Sequence, residues 1–385
     1  MNKLYVKWHM KVKYLLLVAP LAMYSMLSFG DGTLYHFQQK VGSIRKNSLS
    51  GKPAVLGMAA GYDLSVYKRF VGSLRATGYS GHIILGVKSN LEDDILLYLK
   101  GQDVITKPVE VVSDECTYRG AKLHDGKSYG MPCFKEYPDY KLSWGRFAFY
   151  RDWLHECDTC TGEVMLTDVR DIFFQRDPFQ NKEKLRPLML FEETPEVKAD
   201  HWLTQVPVSI CTNFRFHDER MICSGGTMGS TQEILNYIAV MITEFDDWKD
   251  KDKCRFQMDG DDQSVHNYLY YTNKFHEAVP IPHRTGPIHV VGVQAANIYQ
   301  RAKDENRDND PINLRDYYVM NKEKWQNWLP ETDNLIDPNT GLILNLDGTP
   351  SPQVHQTDRF GELISGWLEK MEELNWPFNK PTDKL

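Results

Sequence analysis

The chain has 385 residues, enough for one large α/β domain or two smaller ones, and its 42% hydrophobic and 25% charged residues are ordinary for a globular protein. A net charge of −7 and an isoelectric point near 6.0, with no cluster of Lys and Arg beyond the N-terminal head, argue against a nucleic-acid surface. Seven cysteines suit an oxidising compartment, and their odd number leaves at least one thiol unpaired.

At the N-terminus, Lys3, Lys7, Lys11 and Lys13 precede the uncharged stretch Tyr14–Phe29. Positive residues before an apolar core form a secretory signal. The stretch is short for a membrane span, which takes ~20 residues. Cleavage after Gly30 and retention as a signal anchor in a thin early-secretory membrane both fit. In the second case the lysines stay cytoplasmic and the C-terminal bulk is lumenal. No Asn-x-Ser/Thr sequon adds to that placement. Residues 31–50 are polar and aperiodic, and read as a short stem.

Ala54–Ala60 reads as a buried strand ending in small residues, and Asp63–Ala76 as a helix with Val66, Phe70, Val71 and Leu74 on one face. His82–Val87 is a second strand and Leu91–Leu99 a second helix. Strand–helix alternation predicts right-handed crossovers and a parallel sheet. Residues 108–140 are irregular, carry Cys116 and Cys133, and read as a surface insertion. Leu142–Leu154 is amphipathic, with Phe147, Tyr150 and Leu154 on one stripe and Arg146 and Arg151 off it. Val164–Leu166 and Pro187–Phe191 are further strands, the latter ending in Glu192 and Glu193. Cys157-Asp-Thr-Cys160 reads as a local disulfide or a plain structural pair, because no second Cys-x-x-Cys completes a zinc ribbon and no thioredoxin-like βαβ pattern precedes it.

Four places carry chemistry. Small residues Gly57, Ala59, Ala60 and Gly61 at the first strand's end would let a nucleotide approach the backbone. Asp168 and Asp171 follow the apolar run Val164–Leu166, where ligands of an open α/β sheet bind beyond the strands' carboxyl ends. Two acids there suit Mg²⁺ or Mn²⁺, hard cations that take oxygen ligands and leave positions for phosphate. Gly225 and Gly226 follow the apolar run from Met221, and Asp261 and Asp262 precede a helix, a position equally suited to capping. Late in the chain, Asp347-Gly348 signals a turn, and Pro350 and Pro352 keep the approach to His355 extended. His289, after Pro287, is the competing histidine.

The Glu163–Phe179 block resembles the Asp-x-Asp region of nucleotide-sugar glycosyltransferases with the GT-A fold, although two residues rather than one separate its acids. Ser224-Gly225-Gly226 is similar to the Asn/Ser-Gly-Gly segment that lines the sugar site in such enzymes, Asp261-Asp262-Gln263 to the segment beside the acceptor hydroxyl, and Val354–Arg359 to their closing motif. This ordered set covers roughly residues 52–360. The resemblance implies an α/β fold of GT-A type, a Rossmann-like α/β/α sandwich with a mostly parallel central sheet, over residues 51–360, followed by a helical tail at 361–385. It implies Mn²⁺ or Mg²⁺ held by Asp168, Asp171 and His355. Asp262, or less favourably Asp261, would be the general base of an inverting reaction. Gly57, Ala59, Ala60, Gly225, Gly226 and Arg146 would bind the donor.

The expected protein is therefore a single-pass type II enzyme of the Golgi or endoplasmic reticulum, secreted if its N-terminal segment is cleaved. It would move a sugar from a nucleotide diphosphate to a hydroxyl of a glycan, protein or lipid, with no nucleic acid as partner. A metal-dependent lumenal phosphohydrolase and a non-catalytic binding protein of the same fold are the alternatives.

Overall fold

A computed structural model describes residues 51–118, 131–255, 261–305, 334–373 and Trp376. The expected signal segment (1–30) and stem (31–50) lie outside the described residues, as does the end of the tail. Among the described residues no helix is long and apolar enough to cross a membrane.

The chain opens as β1 (Ala54–Met58), a helix α1, β2 (His82–Lys88), α2 (Asp93–Gly101) and β3 (Val104–Val109). α1 runs through Leu64–Tyr67, a π-helical turn at Lys68–Gly72 and Ser73–Ala76, with its N-terminus capped by Asp63, whose carboxylate accepts from Val66 N at 3.2 Å. The predicted insertion holds a small antiparallel sheet, β4 (Val111–Val112), β5 (Cys133–Phe134) and β6 (Tyr137–Lys141), stapled by the Cys116–Cys133 disulfide. Next come α3 (Leu142–Glu156), β7 (Glu163–Thr167), β8 (Ile172–Phe174) and β9 (Leu188–Glu192). α4 (Trp202–Cys211), β10 (Ile222–Ser230), α5 (Thr231–Asp250) and α6 (Asp262–Tyr271) follow. The chain then forms β11 (Ala278–Ile281), β12 (Ile288–Val290), α7 (Gly292–Glu305), β13 (Gln353–His355) and α8 (Glu362–Glu373).

Seven strands form a mostly parallel central sheet in the order β11-β9-β10-β7-β1-β2-β3, with β10 antiparallel to both neighbours. Both faces are buried, which is why its strands read as continuous apolar runs rather than as alternation. Ala54, Leu56, Val164, Leu166, Leu188 and Leu190 pack under α3, α5 and α6 on one face. Val55, Ile83, Leu85, Met165 and Met189 pack under α1 and α2 on the other. The result is compatible with a Rossmann-like α/β/α architecture.

α5, 20 residues long, is absent from the elements expected above, yet the sequence marks its start: Ser230 accepts from Glu233 N, and Glu233 stands three residues on, the spacing of a capping box. The glycine-rich segment after Met221 forms strand β10. Its register against β9 shifts between Ile222 and Thr227, while pairing with β7 begins at Gly226 and Thr167. Two α6 side chains satisfy the backbone that the lapse frees. Gln263 accepts from Ser224 N at 2.7 Å and donates to Ile222 O at 2.6 Å. Asn267 accepts from Ile222 N and donates to Ile222 O, each at 2.8 Å. A second sheet, β12-β13-β8, closes over the end of the first and packs on α7 and α8 around Phe173, Ile298, Val354 and Trp367.

Candidate active site

After β1 the chain builds β2 and β3 to one side and later returns to β1's other side as β7. Such a reversal of strand order leaves a crevice at the carboxyl ends of the two strands. A cleft of ≈ 1320 Å³ occupies that place, lined by Met58 at the end of β1, Ala60 and Tyr62 beyond it, and Asp168, Val169 and Asp171 beyond β7.

Asp168 and Asp171 bracket the turn between β7 and β8, with Val169 buried and Arg170 exposed between them. The two-residue spacing that departs from Asp-x-Asp thus spans a turn. β13 runs antiparallel to β8, pairing His355 with Ile172, and Thr357 donates both its backbone N–H and its hydroxyl to Asp171 O at 2.9 Å. This pairing brings His355 to the acids from nearly two hundred residues away. His355 Nε2 lies 3.4 Å from Asp168 Oδ2 and 3.9 Å from Asp171 Oδ1, and the three potential ligand atoms all fall within 4.8 Å of one another. His355 is 1% exposed, and among the described residues its Nε2 has no partner within hydrogen-bond geometry beyond its approach to the two carboxylates. Its Nδ1 faces Cys223 Sγ at 3.6 Å, the one free cysteine.

Gly225 forms the wall behind this group. A Cβ there would collide with both His355 Cε1 and Asp168 Oδ2, so only glycine leaves the space open.

Arg146, on α3, joins two of the acids. One guanidinium nitrogen donates to Asp168 Oδ1 at 2.5 Å and the other to Asp262. Partial burial works against ionisation of Asp168, but Arg146 and His355 outweigh it and hold this carboxyl well below the usual range. Asp171 moves the opposite way, pushed up by burial despite His355, with the charge of Asp168 adding to the rise. Burial would lower His355 too, yet Cys223, Asp168 and Asp171 raise it well above the ordinary histidine value. The group is built to hold positive charge among its carboxylates.

The expected site residues separate into two sets. Ala60, Arg146, Asp168, Asp171, Gly225, Asp262 and His355 line the cleft. Gly57, Ala59, Gly226 and Asp261 stand behind its wall. Gly57 faces Val169, Ala59 is fully buried, and Gly226 faces Ile288, so these small residues serve helix–sheet and sheet–sheet packing rather than ligand approach. Asp261 is fully buried, bonded to Lys141 Nζ at 2.5 Å and to Trp144 Nε1 at 2.8 Å. That lock fastens the start of α6 to the start of α3 and keeps Asp261 out of the lining of the cleft, so of the two acids it is Asp262 that the cleft exposes. Asp262, one residue on, accepts from Arg146 and, at 3.3 Å, from Ser224 Oγ.

The cleft also contains residues the motifs did not single out. Tyr62 follows β1, its phenol pushed up by burial and by Asp168, and therefore protonated. Glu193 follows β9, its carboxyl likewise pushed up by burial. Both sit just past strand ends, the rule that found Asp168. Ser224 was marked only as the first residue of the Ser-Gly-Gly segment; the shifted register that brings it to the cleft is a tertiary event.

Compared with profiles of known protein families and with curated protein sequences, the chain matches none.

Proposed function

We propose that the protein is a glycosyltransferase of GT-A type that moves a sugar from a nucleotide-diphosphate donor to a hydroxyl acceptor. The observation carrying this reading is the convergence of Asp168, Asp171 and His355 at the strand-order reversal, beside Gly225 and Arg146. Two carboxylates with one imidazole suit Mn²⁺, or Mg²⁺ less well because nitrogen is the softer donor. The Nε2 facing the two carboxylates and the space kept by Gly225 fit an ion at that point. A bound divalent ion would neutralise the leaving diphosphate and act as a Lewis acid.

The chain's own residues do the rest. Arg146 keeps Asp168 ionised and holds Asp262 beside it in the cleft. Asp262, which lines the cleft beside Arg146, would take the proton of an incoming hydroxyl in an inverting reaction. Tyr62 and Ala60 line the cleft beyond β1, where the nucleotide would lie. The seven-stranded sheet with its single reversed strand is consistent with the GT-A reading.

Titration of nucleotide sugars with and without Mn²⁺, followed by product analysis, tests the proposal. Mn²⁺-dependent donor binding with sugar transfer supports it. Hydrolysis of a nucleotide diphosphate or phosphoester without transfer assigns the same acids to a phosphohydrolase. Absence of any nucleotide response makes the protein a binding module. The Lys-rich head and the uncharged stretch after it support a lumenal catalytic domain on a type II anchor; digestion of that domain in sealed microsomes without detergent would overturn this placement.

A further inference from the structure

A second group of potential ligands lies at the other end of the sheet. His82 opens β2, and Cys157 and Cys160 occupy the turn that joins α3 to β7, so all three sit at the amino ends of strands, away from the cleft. Their ligand atoms lie within 4.8 Å of one another. His82 Nε2 is already aimed into the turn, 2.8 Å from Thr159 Oγ1. The turn itself is held at both sides: Lys52 N donates to Thr159 O at 3.2 Å, and Thr231 Oγ1 to Cys160 O at 2.7 Å. Cys157 is the C-cap of the 15-residue α3, whose terminal carbonyls carry partial negative charge that favours a cation. The same charge disfavours a reactive thiolate, and so argues against a thiol–disulfide exchange centre. In the oxidised protein the two sulfurs are joined, with Cα atoms 5.4 Å apart.

We propose that the Cys157–Cys160 pair with His82 is a redox-gated zinc site, closed as a disulfide and competent as a dithiol. Reduction by a small thiol breaks the Sγ–Sγ bond, each sulfur gains one electron and one proton, and two molecules of the thiol leave as their disulfide. Zn²⁺ then displaces the two sulfur-bound protons and the hydrogen bond between His82 and Thr159. Tetrahedral zinc with Zn–S of ~2.3 Å needs the sulfurs ~3.8 Å apart, a small opening of a turn with this Cα separation. His82 and Cys157 are partly exposed, so water is at hand for the fourth position.

Cobalt(II) is the probe, since thiolate ligation gives an intense near-ultraviolet charge-transfer band that carboxylate and imidazole ligands do not. The full chain is titrated with cobalt before and after treatment with a phosphine reductant. The expected result is a band at one equivalent in the reduced protein only. Cys157→Ser/Cys160→Ser removes it, Cys223→Ser, beside His355, leaves it intact, and His82→Ala weakens cobalt binding about tenfold or more. A reduced protein without the band overturns the proposal, as does a band that persists in the double variant or vanishes only with Cys223→Ser. Should reduction unfold the protein, as read by near-ultraviolet circular dichroism, selective alkylation of the Cys157–Cys160 dithiol with and without Zn²⁺ decides the matter: protection by zinc upholds the site, and equal labelling refutes it.

Discussion

His289 and His355 stand on adjacent strands of one three-stranded sheet, and both are almost completely buried. The register pairs His289 with Val354 and Val290 with His355, so strand alternation sends the two imidazoles to opposite faces. On one face His355 meets Asp168, Asp171 and Cys223, and its affinity for a proton rises. On the other, His289 bonds Ser351 Oγ at 3.0 Å and faces His283, whose ring centre is 5.0 Å away. Burial, His283 and Arg284 push His289 well below the ordinary value. Burial is common to both; the sign of the surrounding charge differs. A histidine among carboxylates is a cation ligand in waiting, whereas a histidine buried beside Arg284 and a second imidazole is a neutral piece of core.

The largest effect expected is on the acidic face. Asp171→Asn and His355→Ala should each reduce Mn²⁺ affinity by roughly a hundredfold and abolish transfer; the nearly isosteric Asp171→Asn should keep the thermal midpoint, while His355→Ala, which empties a buried position, should also lower it. Calorimetric Mn²⁺ titration checks this. His289→Ala serves as the contrast and should bind Mn²⁺ normally; if it loses the metal instead, the assignment of faces is wrong.

Next in size is the contrast between neighbours Asp261 and Asp262. Asp261→Ala removes the carboxylate of a fully buried ion pair, along with the acceptor of Trp144 Nε1, which should cost about 3–5 kcal/mol of stability in denaturant unfolding. Asp262→Asn should leave the fold near wild type while slowing transfer by roughly 10²–10⁴-fold, the contribution of a general base. Equal stability losses in the two variants would make both acids structural.

A smaller effect tests the cradle. Gly225→Ala intrudes on His355 and Asp168 and should weaken Mn²⁺ by about tenfold while Gly226→Ala, which meets Ile288 instead, chiefly lowers stability. Normal Mn²⁺ binding by Gly225→Ala would remove this wall from the site.

The smallest effect belongs to the cationic face and appears as pH dependence. Burial lowers His283 from the ordinary 6.5 to about 4, so below 6.5 the unfolded chain takes up a proton that the fold refuses. The stabilisation is fully present above pH 6.5 and is lost as pH falls toward 4, at about 1.4 kcal/mol per pH unit. His283→Gln should flatten that slope by the same amount in urea midpoints measured between pH 7 and 5. An unchanged slope would show that His283 is not held neutral.

Much of the frame was legible in the chain. Val164–Leu166, Ala54–Met58 and Leu188–Phe191 are unbroken apolar runs because both faces of their sheet are covered, and the acids just past them mark where the strands end. α5 was legible too, through its Ser230/Glu233 start, but a strand–helix search centred on glycines passes over it. The Asp261/Asp262 pair was not resolvable. Adjacent residues at a helix start have the same local chemistry, and only the packing of α3 decides that Lys141 claims one and Arg146 the other.

Local periodicity, strand-end acids and turn residues by themselves determined the α/β class, the place of Asp168 and Asp171 and the extended approach to His355, because those depend on interactions within a few residues. Which histidine reaches the acids, which glycine leaves room and which aspartate opens to the cleft depend on a register between β13 and β8, a register shift in β10 and the seating of α6 on α3. A slip of one residue in the first of these would exchange the two faces of β13 and withdraw His355. Such registers are fixed by the sum of contacts across the whole core, and no short window of sequence contains them.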